Sequence, residues 1–490
     1  MENIKKSLIN FSKTNLFSIA AVLICVFPLF KFEYSTDTYH LALHDGVSGV
    51  ANAMLVNGRL IISAVASLCD AMSFNIVGFY YFSFVLSMIF AALSITTVFG
   101  MLKGHMSNKM AYFLAIITIF NPMVFELFLF IEKGLFMFAI YMSVLAAKFF
   151  LKFLQGQYLY LIPAYPLLII SCFTYQPMPG VFVALALVFI VVYSKNFRQL
   201  SINTGIAISL YFVSTIANFV VMRLLEMEQR LSEGLNFTNI YKFLTFGIYN
   251  PYLLLVYFGV FFTLFLVVFI SFKRKTGKAF SKESALVFFK YSFIIVGTIL
   301  ATAAPSVATT PENVFFTLRY SYPIGLLVGT IPILYNFKVD YNCENADTKL
   351  SKKALVIMLS VLAVFLTLFL TYYFNRLVCN AKDESDALKI GEHISEYEAQ
   401  TGVKIKYIAL YRDKCCSTTF DGIVSLPNCN IRAITTSWCD TPHLNLFLNR
   451  KFKEIKSSKE YTEYFASKDW TEINEELFIF DGETLHLGIY

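Results

Sequence analysis

Asp37 is the first residue of the chain whose type and position suggest chemistry. It lies a few residues after the first long apolar run, in the segment Tyr-Ser-Thr-Asp-Thr-Tyr-His over 34–40. A carboxylate at this point can act as a general base toward a hydroxyl group, and His40 or His44 is close enough in sequence to assist it. Glu33, Asp45 and Asp70 are the other acids of the first outer loop, which runs over about 31–75. The alternative is a solvated loop aspartate without a chemical role.

Arg319 and Arg59 are the candidates for binding an anion. Arg319 precedes a late apolar run in a stretch nearly free of other cations, and Arg59 stands in the segment Asn-Gly-Arg-Leu over 57–60. A guanidinium binds a phosphate through two parallel hydrogen bonds, as recognition of a lipid phosphate requires. The alternative is that each side chain only extends to lipid head groups.

Glu126 and Gln176 lie beside prolines that interrupt apolar runs. Glu126 follows the Asn-Pro pair at 121–122, and Gln176 precedes Pro177. Polar side chains at membrane depth often have a function, and we expect both to line the same pocket as Asp37. The alternative is that each one only caps a helix end beside a proline.

The elements that position these residues are predicted by composition. Of the 490 residues, 57% are hydrophobic and 15% are charged, whereas a soluble globular chain carries about 25% charged residues. A bilayer core about 30 Å thick needs roughly 20 apolar helical residues to cross it. The chain therefore predicts an all-α polytopic bundle of about eleven spans, which begin near Leu16, Ile76, Ala111, Gly134, Leu159, Val181, Gly205, Pro251, Leu286, Tyr322 and Ala354.

Basic residues cluster in alternate loops, and this pattern predicts the orientation of the chain. Because loops rich in lysine and arginine face the cytoplasm, the N-terminus is predicted to be cytoplasmic and the C-terminal region to lie outside. The net charge of +7 therefore reflects topology and does not indicate a nucleic-acid partner. We expect the first run to be an uncleaved signal anchor, not a cleaved signal peptide, because no small-residue cleavage site follows it.

The last hundred or so residues differ in composition from the rest, and charged side chains become frequent there. The pattern predicts a helix over 384–400, a strand over 403–411, a helix over 444–465 and a final alternating run over 477–490. We therefore expect a membrane domain over 1–378 and a small soluble α/β domain over 379–490. In an oxidising compartment the domain would form disulfides, with the pairing left open, among Cys415, Cys416, Cys429 and Cys439. Zinc binding is the less favoured alternative, because the spacing lacks CxxC pairs.

Several of these short motifs together resemble those of the polytopic O-antigen glucosyltransferases, the Gtr-type serotype-conversion enzymes often carried by bacteriophages. The resemblance spans nearly the whole chain, although each motif is short. The motifs are Tyr-x-x-Asp ending at Asp37, Asn-Gly-Arg-Leu over 57–60, Phe-Asn-Pro over 120–122 with Glu126, Tyr-Gln-Pro over 175–177, the late Arg319, Ser-Lys-Asp-Trp over 467–470, and the run over 477–485.

The resemblance implies a GT-C-type fold in the Gram-negative inner membrane, with the C-terminal domain in the periplasm. Such an enzyme takes glucose from undecaprenyl phosphate glucose and attaches it, with inversion, to a sugar of the O-antigen polysaccharide, which changes the lipopolysaccharide serotype. No nucleotide sugar, cofactor or metal ion is expected. The partners implied are the donor lipid, the acceptor glycan and membrane lipids, working alongside a flippase and the synthase of the lipid-linked glucose.

Roles for individual residues also follow from the resemblance. Asp37 matches the catalytic base, and Arg319 matches the group that holds the phosphate. Arg59, Glu126 and Gln176 match motif positions and are assigned to sugar contacts or support of the pocket. His40 and Asp45 are further substrate-binding candidates of the first outer loop, and Asp45 and Glu33 are the next candidates for the base.

The chain also departs from the family pattern. Thr36 precedes Asp37 where the family often has a second acid, and His40 stands where a basic residue is usual. The arginine and acid expected shortly after Glu126 are absent, and Glu132 and Lys133 stand near that position. An O-antigen polymerase or ligase, a membrane transporter and a scaffold whose tail binds a partner are the competing interpretations.

Overall fold

The structure is a computed structural model. It describes residues 16, 18–23, 26, 46–121, 123–226, 235–248, 282–310, 314, 317–337, 352–412, 432–468 and 472–489. The chain divides into two compact units: the first comprises Met1–Phe30 and Ala51–Phe369, and the second Lys31–Val50 and Leu370–Tyr490. The predicted domain boundary at 378–379 lies within the same long helix as the boundary between Phe369 and Leu370.

Helices make up nearly all of the described part of the first unit. In chain order they are α1 Gly46–Val56, α2 Leu60–Ala71, α3 Ile76–Leu102, α4 Asn108–Ile119, α5 Phe125–Leu129, α6 Lys133–Leu154, α7 Leu161–Thr174, α8 Pro179–Tyr193, α9 Phe197–Leu224, α10 Thr238–Ile248, α11 Lys282–Ala303, α12 Tyr322–Gly325, α13 Leu327–Asn336 and α14 Lys352–Thr401. The first residues of α1 and the last part of α14 belong to the second unit.

Among the described residues, four helical segments are long and apolar enough to cross a membrane, namely Ile76–Leu102, Lys133–Leu154, Phe197–Leu224 and Phe288–Ala308. Apolar helices of 10–17 residues account for other predicted runs, including α4, α8 and the helix that ends at Thr174. Pro166 lies inside α7 and Pro332 inside α13, and a proline removes one helical hydrogen bond. Several apolar helices of the described residues could therefore span a membrane, whereas the count of eleven spans stays a prediction.

Helix α6 packs closely against α3 at Gly134. Gly134, the second residue of α6, donates its backbone N–H to Ser83 Oγ at 2.9 Å. A Cβ atom on Gly134 would collide with the backbone carbonyl of Ser83, so only glycine allows this approach. The contact fixes the start of α6 against α3, and with it the orientation of Glu132 and Lys133.

The second unit is a small α/β arrangement. Strands β1 Tyr407–Arg412, β2 Lys453–Glu454, β3 Phe478–Asp481 and β4 Thr484–Ile489 form one sheet in the order β2-β1-β4-β3. Strand β1 pairs in parallel with β2 and β4, and β3 pairs with β4 as an antiparallel hairpin. Ala387, Ile390 and Ile394 of α14 are buried in the core that the sheet forms. The predicted helix over 384–400 is confirmed as part of α14, and the described part of the alternating run over 477–490 forms β3 and β4. The predicted strand over 403–411 begins only at Tyr407 and extends to Arg412.

The predicted helix over 444–465 is wrong. Two shorter helices, α15 Asp440–Phe447 and α16 Lys459–Phe465, flank strand β2 instead. Asn449 adopts a left-handed backbone with φ 48°, and such a residue ends a helix. The Asn445 side chain then accepts from and donates to the backbone of Phe452, at 2.7 and 3.2 Å, which directs the chain toward β2.

The cysteine prediction falls partly outside the described residues. Cys415, Cys416 and Cys429 belong to the segment 413–431, which the structure does not describe. Cys439 is buried, and its thiol donates to the carbonyl of Ala433 at 3.2 Å. The disulfides therefore stay a prediction.

Candidate functional site

Arg59 lies directly after a tight turn between α1 and α2. Gly58 makes this turn with φ +70°, and a Cβ atom there would overlap the side chain of Met222 from α9. Two side-chain amides hold the turn: Gln176 donates to the carbonyl of Asn57 at 3.0 Å, and Asn218 donates to the carbonyl of Gly58 at 3.3 Å. Asn218 of α9 and Gln176, which follows α7, thus fix the position of the backbone at Arg59.

The Arg59 side chain forms a buried ion pair with Glu132. The two side chains are 5% and 3% exposed, and Arg59 Nη1 lies 3.4 Å from Glu132 Oε1. The guanidinium carbon is 4.8 Å from the ring centroid of Tyr175 and 5.9 Å from that of Phe136. Cations near aromatic faces are stabilised, especially where water is excluded. Arg59 is therefore held on several sides within the protein.

Glu126 and Arg319 form a second pair of the same kind. Glu126 Oε2 accepts the backbone N–H of Arg319 at 3.0 Å, and Oε1 lies 3.5 Å from Arg319 Nε. The Arg319 guanidinium lies 4.1 Å from the ring centroid of Phe130. Asn121 fixes the turn between α4 and α5 that leads to Glu126. The Asn121 side chain donates to the carbonyl of Thr118 and accepts from the backbone N–H of Met123.

Tyr175 connects the two ion pairs. Its ring centroid lies 4.5 Å from that of Phe136 and 5.8 Å from that of Tyr320. Its ring lies 4.8 Å from the guanidinium carbon of Arg59, and the ring of its neighbour Tyr320 lies 5.6 Å from that of Arg319. The Tyr175 hydroxyl is buried and has no hydrogen-bond partner among the described residues. The charges of the two pairs thus belong to one polar cluster, which we call the outer cluster after the orientation that the sequence predicts: Arg59, Glu126, Glu132, Tyr175, Gln176 and Arg319.

Beside the outer cluster is a cavity of about 140 Å³, which we call the Arg59 cavity. Arg59 is the one charged residue among the described residues that line it. Amides and hydroxyls form much of the remaining lining, and the apolar part is contributed by side chains such as Phe219, Met222 and Phe243. A bound molecule would therefore meet one fixed cation, several neutral hydrogen-bonding groups and an apolar wall.

Four of the predicted site residues are thus brought together: Arg59, Glu126, Gln176 and Arg319. Three others, Asp37, His40 and Asp45, belong to the segment 27–45, outside the described residues. Their predicted roles stay predictions.

Glu132 and Tyr175 are cluster residues to which the sequence interpretation gave no role. The signal for Glu132 was present, because Glu132 and Lys133 interrupt an otherwise apolar stretch, and intramembrane charges are costly unless paired. Lys133 is also buried, with Nζ 3.7 Å from the ring centroid of Tyr80. Tyr175 carries no charge, and although it opens the Tyr-Gln-Pro motif over 175–177, tyrosine is too abundant in this chain to stand out.

No group of three or more His, Cys, Asp or Glu residues that could hold a metal ion occurs within the described ranges. Comparisons of the chain with models of protein families, with curated proteins and with solved structures found no match.

Proposed function

We propose that this protein is an inverting glycosyltransferase of the Gram-negative inner membrane. It transfers glucose from undecaprenyl phosphate glucose to a sugar of the O-antigen repeat on the periplasmic side. The fold proposed with this function is a GT-C-type bundle of about eleven spans, with its N-terminus in the cytoplasm and its C-terminal α/β domain in the periplasm. The motif resemblance suggests the reaction, and the outer cluster is the observation that supports it.

The position of the outer cluster suits a lipid-linked sugar phosphate. Glu132 precedes α6 at the end opposite Lys152, and Tyr175 follows α7 at its C-terminal end. The predicted cytoplasmic loops are at the other ends of these helices. A lipid phosphate lies at the boundary between lipid and water, so a cluster at the outward helix ends is at the right depth for the donor head group.

The charges of the outer cluster suit the leaving group of the reaction. As the bond between C1 of glucose and the phosphate oxygen breaks, negative charge grows on undecaprenyl phosphate. A fixed guanidinium in a site shielded from water stabilises that charge without reorganising. The neutral amides and hydroxyls of the Arg59 cavity match the hydroxyl groups of a hexose.

Asp37 is proposed as the general base, on the strength of its motif match. It takes the proton of the acceptor hydroxyl while the acceptor oxygen forms its bond to C1, in line with the departing phosphate. The products are the glucosylated glycan and undecaprenyl phosphate. His40 and Asp45, from the same outer loop, are proposed to contact the substrates.

The test compares Asp37→Asn with the parent protein in a Gram-negative host that makes the lipid-linked glucose. Asp70→Asn is the matched control, because Asp70 is an exposed aspartate at the end of α2. Glucose on the extracted O-antigen is measured, and blots establish that all forms reach the inner membrane. We expect the parent and the Asp70 variant to add glucose and the Asp37 variant to add none.

Two other outcomes would change the proposal. Addition that survives in the Asp37 variant would move the base to Asp45 or Glu33. A parent that adds no glucose in several acceptor serotypes would contradict the transferase and favour an O-antigen polymerase or a transporter.

A further inference from the structure

The two arginines of the outer cluster differ in what their guanidinium groups contact. Arg319 lies 4.1 Å from the ring centroid of Phe130 and 3.5 Å from Glu126, and it is not among the residues that line the Arg59 cavity. Arg59 does line the cavity, although most of its side chain is buried. Arg59 is therefore the arginine that a molecule in the cavity would meet.

The Arg59 guanidinium retains hydrogen-bonding capacity. Its Nη1 lies 3.4 Å from Met54 Sδ and 3.4 Å from Glu132 Oε1, and the latter distance is long for a hydrogen bond of nitrogen to oxygen. Its Nε is buried and has no hydrogen-bond partner among the described residues. A buried polar group without a partner costs free energy, and a guanidinium has five N–H donors. An incoming acceptor at this group would remove that cost.

The lining of the cavity selects the charge of the ligand. Arg59 lines the cavity and its partner Glu132 does not, so an anion in the cavity meets the guanidinium and no carboxylate among the described lining residues. The cavity of about 140 Å³ exceeds the volume of one water molecule, which is about 30 Å³ in the liquid. It therefore has room for a group of several heavy atoms. Its apolar wall, which includes Phe219 and Met222, suits the first carbons of an attached chain.

We infer that Arg59, and not Arg319, binds the phosphate of a lipid-linked phosphate ester, in the Arg59 cavity. The inference rests on the proposed function for the identity of the ligand and reassigns the role that the motif resemblance gives to Arg319. Glu132 positions Arg59, and Glu126 with Arg319 supports the loop that carries Tyr320, a residue of the cavity lining.

The experiment measures binding without sugar transfer. Purified full-length protein in detergent is titrated with farnesyl phosphate, with the uncharged alcohol farnesol and with inorganic phosphate. Two variants neutralise one pair each, Arg59→Gln with Glu132→Gln and Arg319→Gln with Glu126→Gln, so that neither leaves a buried charge without its partner. We expect neutralisation of Arg59 and Glu132 to weaken farnesyl phosphate binding by at least about 10-fold, because a charged hydrogen bond to the phosphate is lost. Neutralisation of Arg319 and Glu126 should weaken it by less than about 3-fold.

A second pair of variants tests the same inference without changing Arg59. Thr215 lines the cavity, and Thr215→Asp adds a negative charge there, whereas Thr215→Asn adds a neutral group of the same shape. We expect the Asp variant to bind farnesyl phosphate at least about 5-fold more weakly than the Asn variant, with farnesol binding equal in both. This comparison remains informative if the Arg59 variant fails to fold.

Three results would overturn the inference: equal loss in the two neutralised pairs, equal binding by the two Thr215 variants, or inorganic phosphate binding as tightly as farnesyl phosphate. The last would assign the cavity to a free anion. Failure of the proposed function is distinct from these. A protein that binds farnesyl phosphate through Arg59 but adds glucose to no acceptor would keep the phosphate site and lose the transferase.

Discussion

Replacing Glu126 by alanine is expected to destabilise the protein through the charge that it leaves behind. The Glu126 carboxylate is 2% exposed and Arg319 is 14% exposed, so the guanidinium would lose its anionic partner in a largely water-free place. Removing one partner of a buried ion pair costs about 3–5 kcal/mol. Because Arg319 retains some exposure and contacts besides Glu126, including those with Phe130 and Tyr320, we expect a loss near the lower limit, about 3 kcal/mol.

The double variant Glu126→Ala with Arg319→Met separates the charge from the hydrogen bond. Methionine retains an apolar contact with Phe130 and removes the cation. The backbone N–H of residue 319 still lacks the acceptor that Glu126 Oε2 supplies at 3.0 Å, which leaves a cost of about 1–2 kcal/mol. The double variant should therefore be more stable than the single variant Glu126→Ala by about 1–2 kcal/mol.

The assay is the free energy of unfolding in mixed micelles, titrated with a denaturing detergent and followed by tyrosine and tryptophan fluorescence. The two single variants, the double variant and the parent form a double-mutant cycle. If the double variant is no more stable than Glu126→Ala alone, the uncompensated cation is not the source of the loss, and neutralisation of Arg319 by Glu126 does not stabilise the fold.

Two further predictions concern a glycine turn and a buried histidine. Gly58→Ala should lower the free energy of unfolding by more than Gly156→Ala. Both glycines have positive φ, which costs alanine about 1–2 kcal/mol, but only Gly58 is in close contact with Met222. Equal losses, measured by the same detergent titration, would refute this. In the second unit, burial lowers the pKa of His486 below its usual range, an effect that Asp481 partly offsets. An unfolded chain then binds more protons than the folded one, so this contribution to stability is complete above about pH 6.5 and is lost as the pH falls through the lowered pKa. Hydrogen exchange of the β4 amides is measured in the full-length protein at pH 7.5 and 5.5 and corrected for intrinsic rates. Lowering the pH should speed up this exchange more in the parent than in His486→Gln. An identical pH response in both would contradict the assignment.

The sequence predicted the positions of the site residues better than their partners. Arg59, Glu126, Gln176 and Arg319 were recognised because charged or amide side chains beside glycine and proline are conspicuous in an apolar chain. Which acid meets which arginine was not predictable, because the partners lie 73 and 193 positions apart in the chain. Such pairings depend on how helices pack, and the apolar periodicity of a fully buried helix carries little information about its neighbours.

The fold was predictable to a similar extent. Long apolar runs specify helices because backbone groups in a lipid environment must bond to one another, and helices occupy the described parts of those runs. The segment over 444–465 was misassigned because its apolar spacing is compatible with a helix, whereas Asn449 and the pairing of β2 with β1 divide it. A two-residue strand of this kind is specified by its partner and not by its own sequence.

Transfer in a defined membrane tests the proposed activity most directly. Purified protein is reconstituted in liposomes with undecaprenyl phosphate carrying labelled glucose and with lipid-linked O-antigen repeats from several serotypes. The proposal predicts that label passes from the donor lipid into one class of acceptor, with release of undecaprenyl phosphate, and that Asp37→Asn abolishes this transfer. Label that remains on the donor with every acceptor, in liposomes whose protein still binds farnesyl phosphate, would contradict it.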